Sequence, residues 1–170
     1  MRLAVKIMGF VVATAVSGVA LLPMRSSHAA SGEEVIKARI AFMKDEVEAH
    51  WKPLAAYVKS GKGSLADVEK NAIALAKLAE KIPAHFPKDT GRGNYPEKMT
   101  RALPAIWTDW EGFKKNVQEL AEGSERLARL AAEGNKDAVV TLIGASGSYG
   151  KTKIGCAECH ETFRGATAKK

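Results

Sequence analysis

Residues 104–133 read PAIWTDWEGFKKNVQELAEGSERLARLAAE. Within them Ile106, Trp110, Phe113, Val117, Leu120, Leu127 and Leu130 follow one another at steps of 4, 3, 4, 3, 7 and 3. That spacing places side chains on one face of an α-helix. Pro104 suits a first helical turn, and Gly134 with Asn135 stops the pattern. No long stretch anywhere in the chain alternates with period two, so no sheet is predicted.

The same periodicity recurs on either side. From Glu33 to about Ser60, Ile36, Ile40, Met43, Val47, Leu54 and Val58 step by 4, 3, 4, 7 and 4. Pro53 falls inside this span, which predicts a kink or break just before it. Gly61 and Gly63 end it. Ser64-x-x-Asp67 then resembles a capping box, and Val68, Ala72, Leu75 and Ala79 carry a shorter helix to about Lys81. Residues 82–102 hold Pro83, Pro87, Gly91, Gly93 and Pro96 and read as a long connection. A fourth segment, led by Val139, Val140 and Ile143, runs from about Lys136 to Arg164. Gly144, Gly147, Gly150 and Gly155 weaken it, so it is either interrupted or approached closely by something flat. Four helices with two short turns and one longer link predict an all-α fold, an antiparallel bundle.

The N-terminus reads differently. Arg2 and Lys6 precede an apolar run from Ile7 to Leu22; Pro23 ends the run, and Ser27-His28-Ala29 offers a small-x-small cleavage site. The run is short for a membrane span, so residues 1–29 read as a signal peptide rather than an uncleaved anchor. The bundle then occupies 30–170. The 170-residue chain carries a net charge of +7. Removing 1–29 takes away Arg2, Lys6 and Arg25 and no acidic residue, lowering that charge to +4. The remaining Lys and Arg are interleaved with Asp and Glu, without the basic stripe that tracks phosphates, so nucleic acid is not an expected partner. No second apolar stretch approaches membrane length, and the exported chain is expected in the periplasm.

The 2 cysteines of the chain share one pentapeptide, Cys156-Ala157-Glu158-Cys159-His160. Cys-x-x-Cys-His is the attachment signature of c-type haem. Residues i and i+3 share a helix face, so two thiols there can add to the two vinyl groups of a porphyrin. The next residue, histidine, can give a nitrogen to the iron. A disulfide across so short a loop would be strained and would leave His160 unexplained. A thioredoxin-like redox pair needs a strand before the motif, and a zinc site usually needs a fourth ligand. For the opposite face of the iron the chain offers Met43, Met99, His50 and His85.

These landmarks resemble the class II c-type cytochromes, the family of cytochrome c′ and cytochrome c-556. The resemblance spans about Val35 to Arg164. It rests on a haem motif near the C-terminus, on Cys-x-x-Cys-His-x-x-Phe-Arg from Cys156 to Arg164, on Leu103-Pro104-Ala105-Ile106-Trp107, and on Val35-Ile36-Lys37-Ala38-Arg39 followed four residues later by Met43. It implies an antiparallel up-and-down four-helix bundle with one covalently attached haem c. It implies Cys156 and Cys159 as attachment points and His160 as proximal ligand. It implies Met43 on the opposite face, as in the c-556 type, where cytochrome c′ has a non-ligating apolar residue. By the same resemblance Arg39 lies near the haem propionates and Arg164 beside the proximal histidine. The bland alternatives are a solvated Arg39 and an Arg164 that only complements a helix C-terminus. Trp107 and Phe163 read as core.

The function so implied is that of a single-electron carrier, not an enzyme. It would dock weakly with redox partner proteins, with Lys151 and Lys153 as candidate contacts, and would form a homodimer through its first two helices. The rivals are a cytochrome c′-like NO- or CO-binding protein with an open distal site, and an unspecific stress or peroxide-handling role.

Overall fold

The computed structural model describes residues 30–144, 147 and 153–168. The expected signal peptide and Lys151 lie outside the described residues. The remainder is a helical bundle, with no strand among the described residues beyond two isolated bridges.

The first bundle helix is α1 (Gly32–Ala41), a π-helical segment (Phe42–Val47) and α2 (Glu48–Ser60) in continuous succession. It starts with a capping box: Ser31 Oγ accepts from Glu34 N, and Glu34 accepts from Ser31 N at 2.7 Å. The expected break before Pro53 is absent, since α2 runs through the proline. The irregularity lies upstream, where the Glu48 N–H reaches back five residues to the Met43 carbonyl. One extra residue in the turn re-aims the side chains around Met43. Ile40 also departs from expectation. The buried face of this helix follows Ile36, Arg39 and Phe42, and Ile40 is 48% exposed.

Ser64 caps the second helix, α3 (Leu65–Ala79), in the expected box with Asp67. The connection after it begins with a 3₁₀ turn, Ile82–His85, and is tied back on itself by Arg92 N donating to Ala102 O at 2.9 Å. The third bundle helix is split. α4 (Ala105–Thr108) ends at Asp109, whose backbone leaves helical geometry and whose carboxylate accepts from Gly112 N at 3.0 Å to start α5 (Trp110–Ala132). A Cβ on Gly112 would meet Asp109 Oδ2 at 2.2 Å, so the cap needs glycine there. The fourth helix is interrupted as α6 (Lys136–Ile143) and α7 (Cys156–Phe163).

The core is one apolar cluster. α3 and α5 pair most extensively, and their buried faces carry Ala72, Ala76, Ala79, Ala128 and Ala131, small residues that let backbones approach. At the other end Phe113, 1% exposed, is ringed by Phe86, Trp110 and Phe163 at centroid distances of 5.0, 5.3 and 5.5 Å. Phe163 is thus core, as expected; Trp107 is half-buried, its indole N–H donating to the Phe86 carbonyl at 3.0 Å.

Candidate functional site

The glycines that weaken the last helix have a local reason at Gly155. This residue adopts φ +91°, and a Cβ on it would stand 2.6 Å from Leu120 N. On the α5 side, a Cβ on Gly123 would stand 2.7 Å from Ile154 Cα. The chain entering α7 therefore lies directly on the α5 backbone. The close neighbour inferred from the glycines is another helix.

α7 then presents Cys156 and Cys159 one turn apart, both free and both packed against the apolar core. Burial pushes the Cys156 thiol up to about 12, with Cys159 and Glu158 adding to it, and the Cys159 thiol up to about 11. His160 is half-buried. Burial, then the charges of Arg164 and Arg101, pull its imidazole down to about 4. The ring is neutral at neutral pH, the form whose nitrogen lone pair can reach a metal. Among the described residues no group of three or more His, Cys, Asp or Glu is placed to hold a bare metal ion.

Of the other candidate ligands, His50 Nδ1 lies 2.9 Å from Asn71 Oδ1, and His85 stacks on Phe42 with ring centroids 3.9 Å apart. Met99 is half-buried in the 96–99 turn, its N–H donating to Pro96 O at 2.9 Å. Met43 sits half-buried in the π segment and packs against the core that Cys156 and Cys159 also border.

Arg39 is not the solvated surface residue of the bland alternative. It is 3% exposed. Its Nη1 donates to Thr90 Oγ1 at 2.9 Å, and its Nη2 to the Thr90 carbonyl at 2.8 Å and to Thr100 Oγ1 at 2.9 Å. Its guanidinium carbon lies 4.7 Å from the Phe86 ring centroid, within cation–π range. Burial lowers its pKa to about 10, which leaves it charged at neutral pH.

Arg164 lies just past α7, in extended backbone bridged to Ala102. It therefore leaves the helical register that would align it with His160, yet its charge still acts on that ring. Arg101, Arg92, Thr90 and Thr100 were not legible as site neighbours. They fall in a connection without periodicity, and only the folded chain brings them to α1 and α7.

A family model described as Cytochrome C' matches residues 34–164. The chain belongs to the cytochrome c′ family. It is 30% identical over 131 residues to a cytochrome c′ of Pararhodospirillum photometricum, covering 75% of this chain and 97% of that protein. It is 32% identical to a cytochrome c-556 of Agrobacterium tumefaciens (strain B2A), covering 65% of this chain and 81% of the relative. A solved cytochrome c′ from Rhodobacter Spheriodes superposes with a TM-score of 0.63 at 28% identity, covering 80% of this chain and 98% of that one. The family binds a single covalently attached haem c, and the cofactor of this chain is that group. The residues present fit it: two thiols one turn apart, a neutral imidazole beside them, and apolar core behind. No helix of the described residues is long and apolar enough to cross a membrane.

Proposed function

We propose that the chain is a periplasmic single-electron carrier, exported by residues 1–29. In this reading Cys156 and Cys159 would hold the haem covalently, His160 and Met43 would ligate its iron, and Arg39 and Arg164 would complete its surroundings. The observation that carries it is the division of labour among the candidate ligands. His50 and His85 are engaged by Asn71 and Phe42, whereas the Met43 thioether borders the same core as the two thiols.

The bound haem supplies a ferric/ferrous couple. The chain's residues set the terms on which it works. A thioether ligand favours the lower charge and raises the potential. The Arg101 and Arg164 charges, which already disfavour a proton on His160, disfavour added positive charge in the same direction. Apolar core lies against Cys156 and Cys159 and includes Phe163, which lowers the polarity around the site. The resemblance also carries a homodimer through the first two helices, and exposed Ile40 on α1 is an apolar side chain on that surface.

The visible spectrum of the purified protein tests this reading. Low-spin ferric protein with a weak far-red band is expected, and Met43→Ala should convert it to high spin. A high-spin spectrum of the unaltered protein at neutral pH would instead favour NO or CO binding at an open distal site. A Met43→Ala spectrum and potential like those of the parent would remove Met43 as ligand.

A further inference from the structure

The segment leaving α7 is laid against the end of the 82–104 connection as a short antiparallel pair. Leu103 N donates to Phe163 O at 3.1 Å, Gly165 N donates to Arg101 O at 2.8 Å, and Ala102 bridges Arg164. Two arginine side chains pin the pair. Arg101 Nε donates to the Gly165 carbonyl at 2.7 Å, and Arg92 donates to the carbonyls of Thr100 and Ala166. A Cβ at position 165 would meet Arg92 Nη1 at 2.4 Å, so glycine makes room for the guanidinium.

Three guanidinium groups thus gather at the His160 end of the molecule. Arg92 has a counter-ion, Glu97, at 3.5 Å. Arg101 and Arg164 appear in none of the ion pairs of the described residues. Arg164 and Arg92 both act electrostatically on Arg101, and Arg101 and Arg164 both act on His160. Like charges held together without an internal carboxylate are offset best by an anion from outside. Arg164 is exposed and Arg101 half-buried, so that anion can come from a protein surface. The backbone ladder fixes where both residues stand, and the bond to the Gly165 carbonyl holds the Arg101 side chain, which reduces the entropy lost on docking.

We propose that Arg101 and Arg164 form a pre-organised cationic docking patch beside His160 for an acidic face of the electron-transfer partner. The proposal rests on the carrier reading. It moves the contact from Lys151 and Lys153, ahead of the haem motif, to the segment behind it. Electrostatic complementarity of this kind acts mainly on the association rate and is screened by salt.

The test measures electron-transfer rates of the haem-loaded protein with anionic ferricyanide and cationic hexaammineruthenium across ionic strength. The ferricyanide rate should fall as salt rises. Arg101→Gln should lower it at low salt by roughly 3- to 10-fold, as one charge of a patch whose whole steering effect begins at about 10-fold. The hexaammineruthenium rate should not fall in parallel, so the ratio of the two rates removes any change in driving force. Arg101→Lys should retain the ratio, and Arg164→Gln should reproduce the loss should Arg101→Gln not accumulate. Poly-L-glutamate should slow the ferricyanide reaction of the unaltered protein and spare that of a variant carrying both Arg101→Gln and Arg164→Gln. A ratio unmoved by either substitution overturns the patch while leaving the carrier intact. Inhibition by sulfate equal to that by poly-L-glutamate at matched charge also overturns it, assigning the arginines to a free inorganic anion. Absence of electron transfer with both reagents removes the carrier reading, and the patch with it.

Discussion

Arg39 grips Thr90 at two points, its Nη1 on the Thr90 hydroxyl at 2.9 Å and its Nη2 on the Thr90 carbonyl at 2.8 Å. The two residues are separated by 51 positions in the chain, so the clamp fastens the first bundle helix to the long connection. Arg39→Leu should therefore do more than remove a charge. It strips the buried Thr90 carbonyl of its donor, and an unpaired buried group costs about 1–3 kcal/mol, while the Thr100 hydroxyl loses one donor and keeps the Ala102 N–H at 3.2 Å. A total loss of about 2 kcal/mol is expected in urea unfolding. Arg39→Lys should recover only part of it, because a single ammonium cannot reproduce the planar fork. Equal stability of Arg39→Leu and the parent would show that the clamp contributes nothing.

This clamp marks the limit of what could be read from residues in order. The long periodic stripes were legible, because Phe113, Val117, Leu120 and Leu127 face the core through a regular repeat. The Ser64–Asp67 cap was legible because both partners lie within one turn. The haem pentapeptide was legible because its chemistry is local. Arg39 was singled out by the resemblance, but its burial was not legible, because that depends on Thr90 and Thr100 arriving from a segment with no pattern. Asp109 broke an otherwise faultless helical stripe because a carboxylate with glycine three residues on is a better cap than a helix interior. The π segment left no mark in the apolar spacing, since Met43 and Val47 keep a four-residue step whether or not the turn between them is widened.

Two glycines with positive φ should respond differently to alanine. At Gly61, φ is +63° and a new Cβ would meet nothing within 4 Å. Gly61→Ala should cost only the left-handed backbone penalty, about 1–2 kcal/mol. At Gly155 the same penalty is joined by a 2.6 Å contact with the Leu120 backbone nitrogen, which cannot rotate away. Overpacking of this kind adds roughly 1–3 kcal/mol, and α7 must lift from α5 to relieve it. Thermal melts should rank Gly155→Ala well below Gly61→Ala. The yield of covalently bound haem should fall for the first and hold for the second.

Replacing Cys156 and Cys159 by Ser tests the attachment directly. The exported double variant should have the mass of its bare polypeptide and give no haem stain on a denaturing gel. Helix content should fall as well, since a core shaped around a large flat group is left with a cavity, and cavities cost about 24 cal/mol per Å³. Retained staining would refute attachment through these sulfurs. Lost staining with full helix content would show that the bundle closes without its cofactor.

The Ser64 cap should be sensitive to acid in a defined direction. Asp67 accepts from Ser64 N and from Ser64 Oγ, both at 2.8 Å, and these hydrogen bonds hold its pKa below the usual 3.8. Its folded pKa is thus depressed relative to the unfolded chain. The stabilisation it brings is fully present above the ordinary carboxylate value and is lost as pH falls through the lower, folded value. Asp67→Asn should accordingly lower the urea midpoint at neutral pH, and the gap from the parent should close as the solution is acidified below 3.8. Ser64→Ala removes the other half of the box and should cost about 1 kcal/mol. In the Ser64→Ala background Asp67→Asn should have a smaller effect but not a vanishing one, because the hydroxyl is gone while the backbone N–H of position 64 still donates to the carboxylate. A gap between Asp67→Asn and the parent that persists unchanged into strong acid would mean that the side chain acts through its shape and not through its charge.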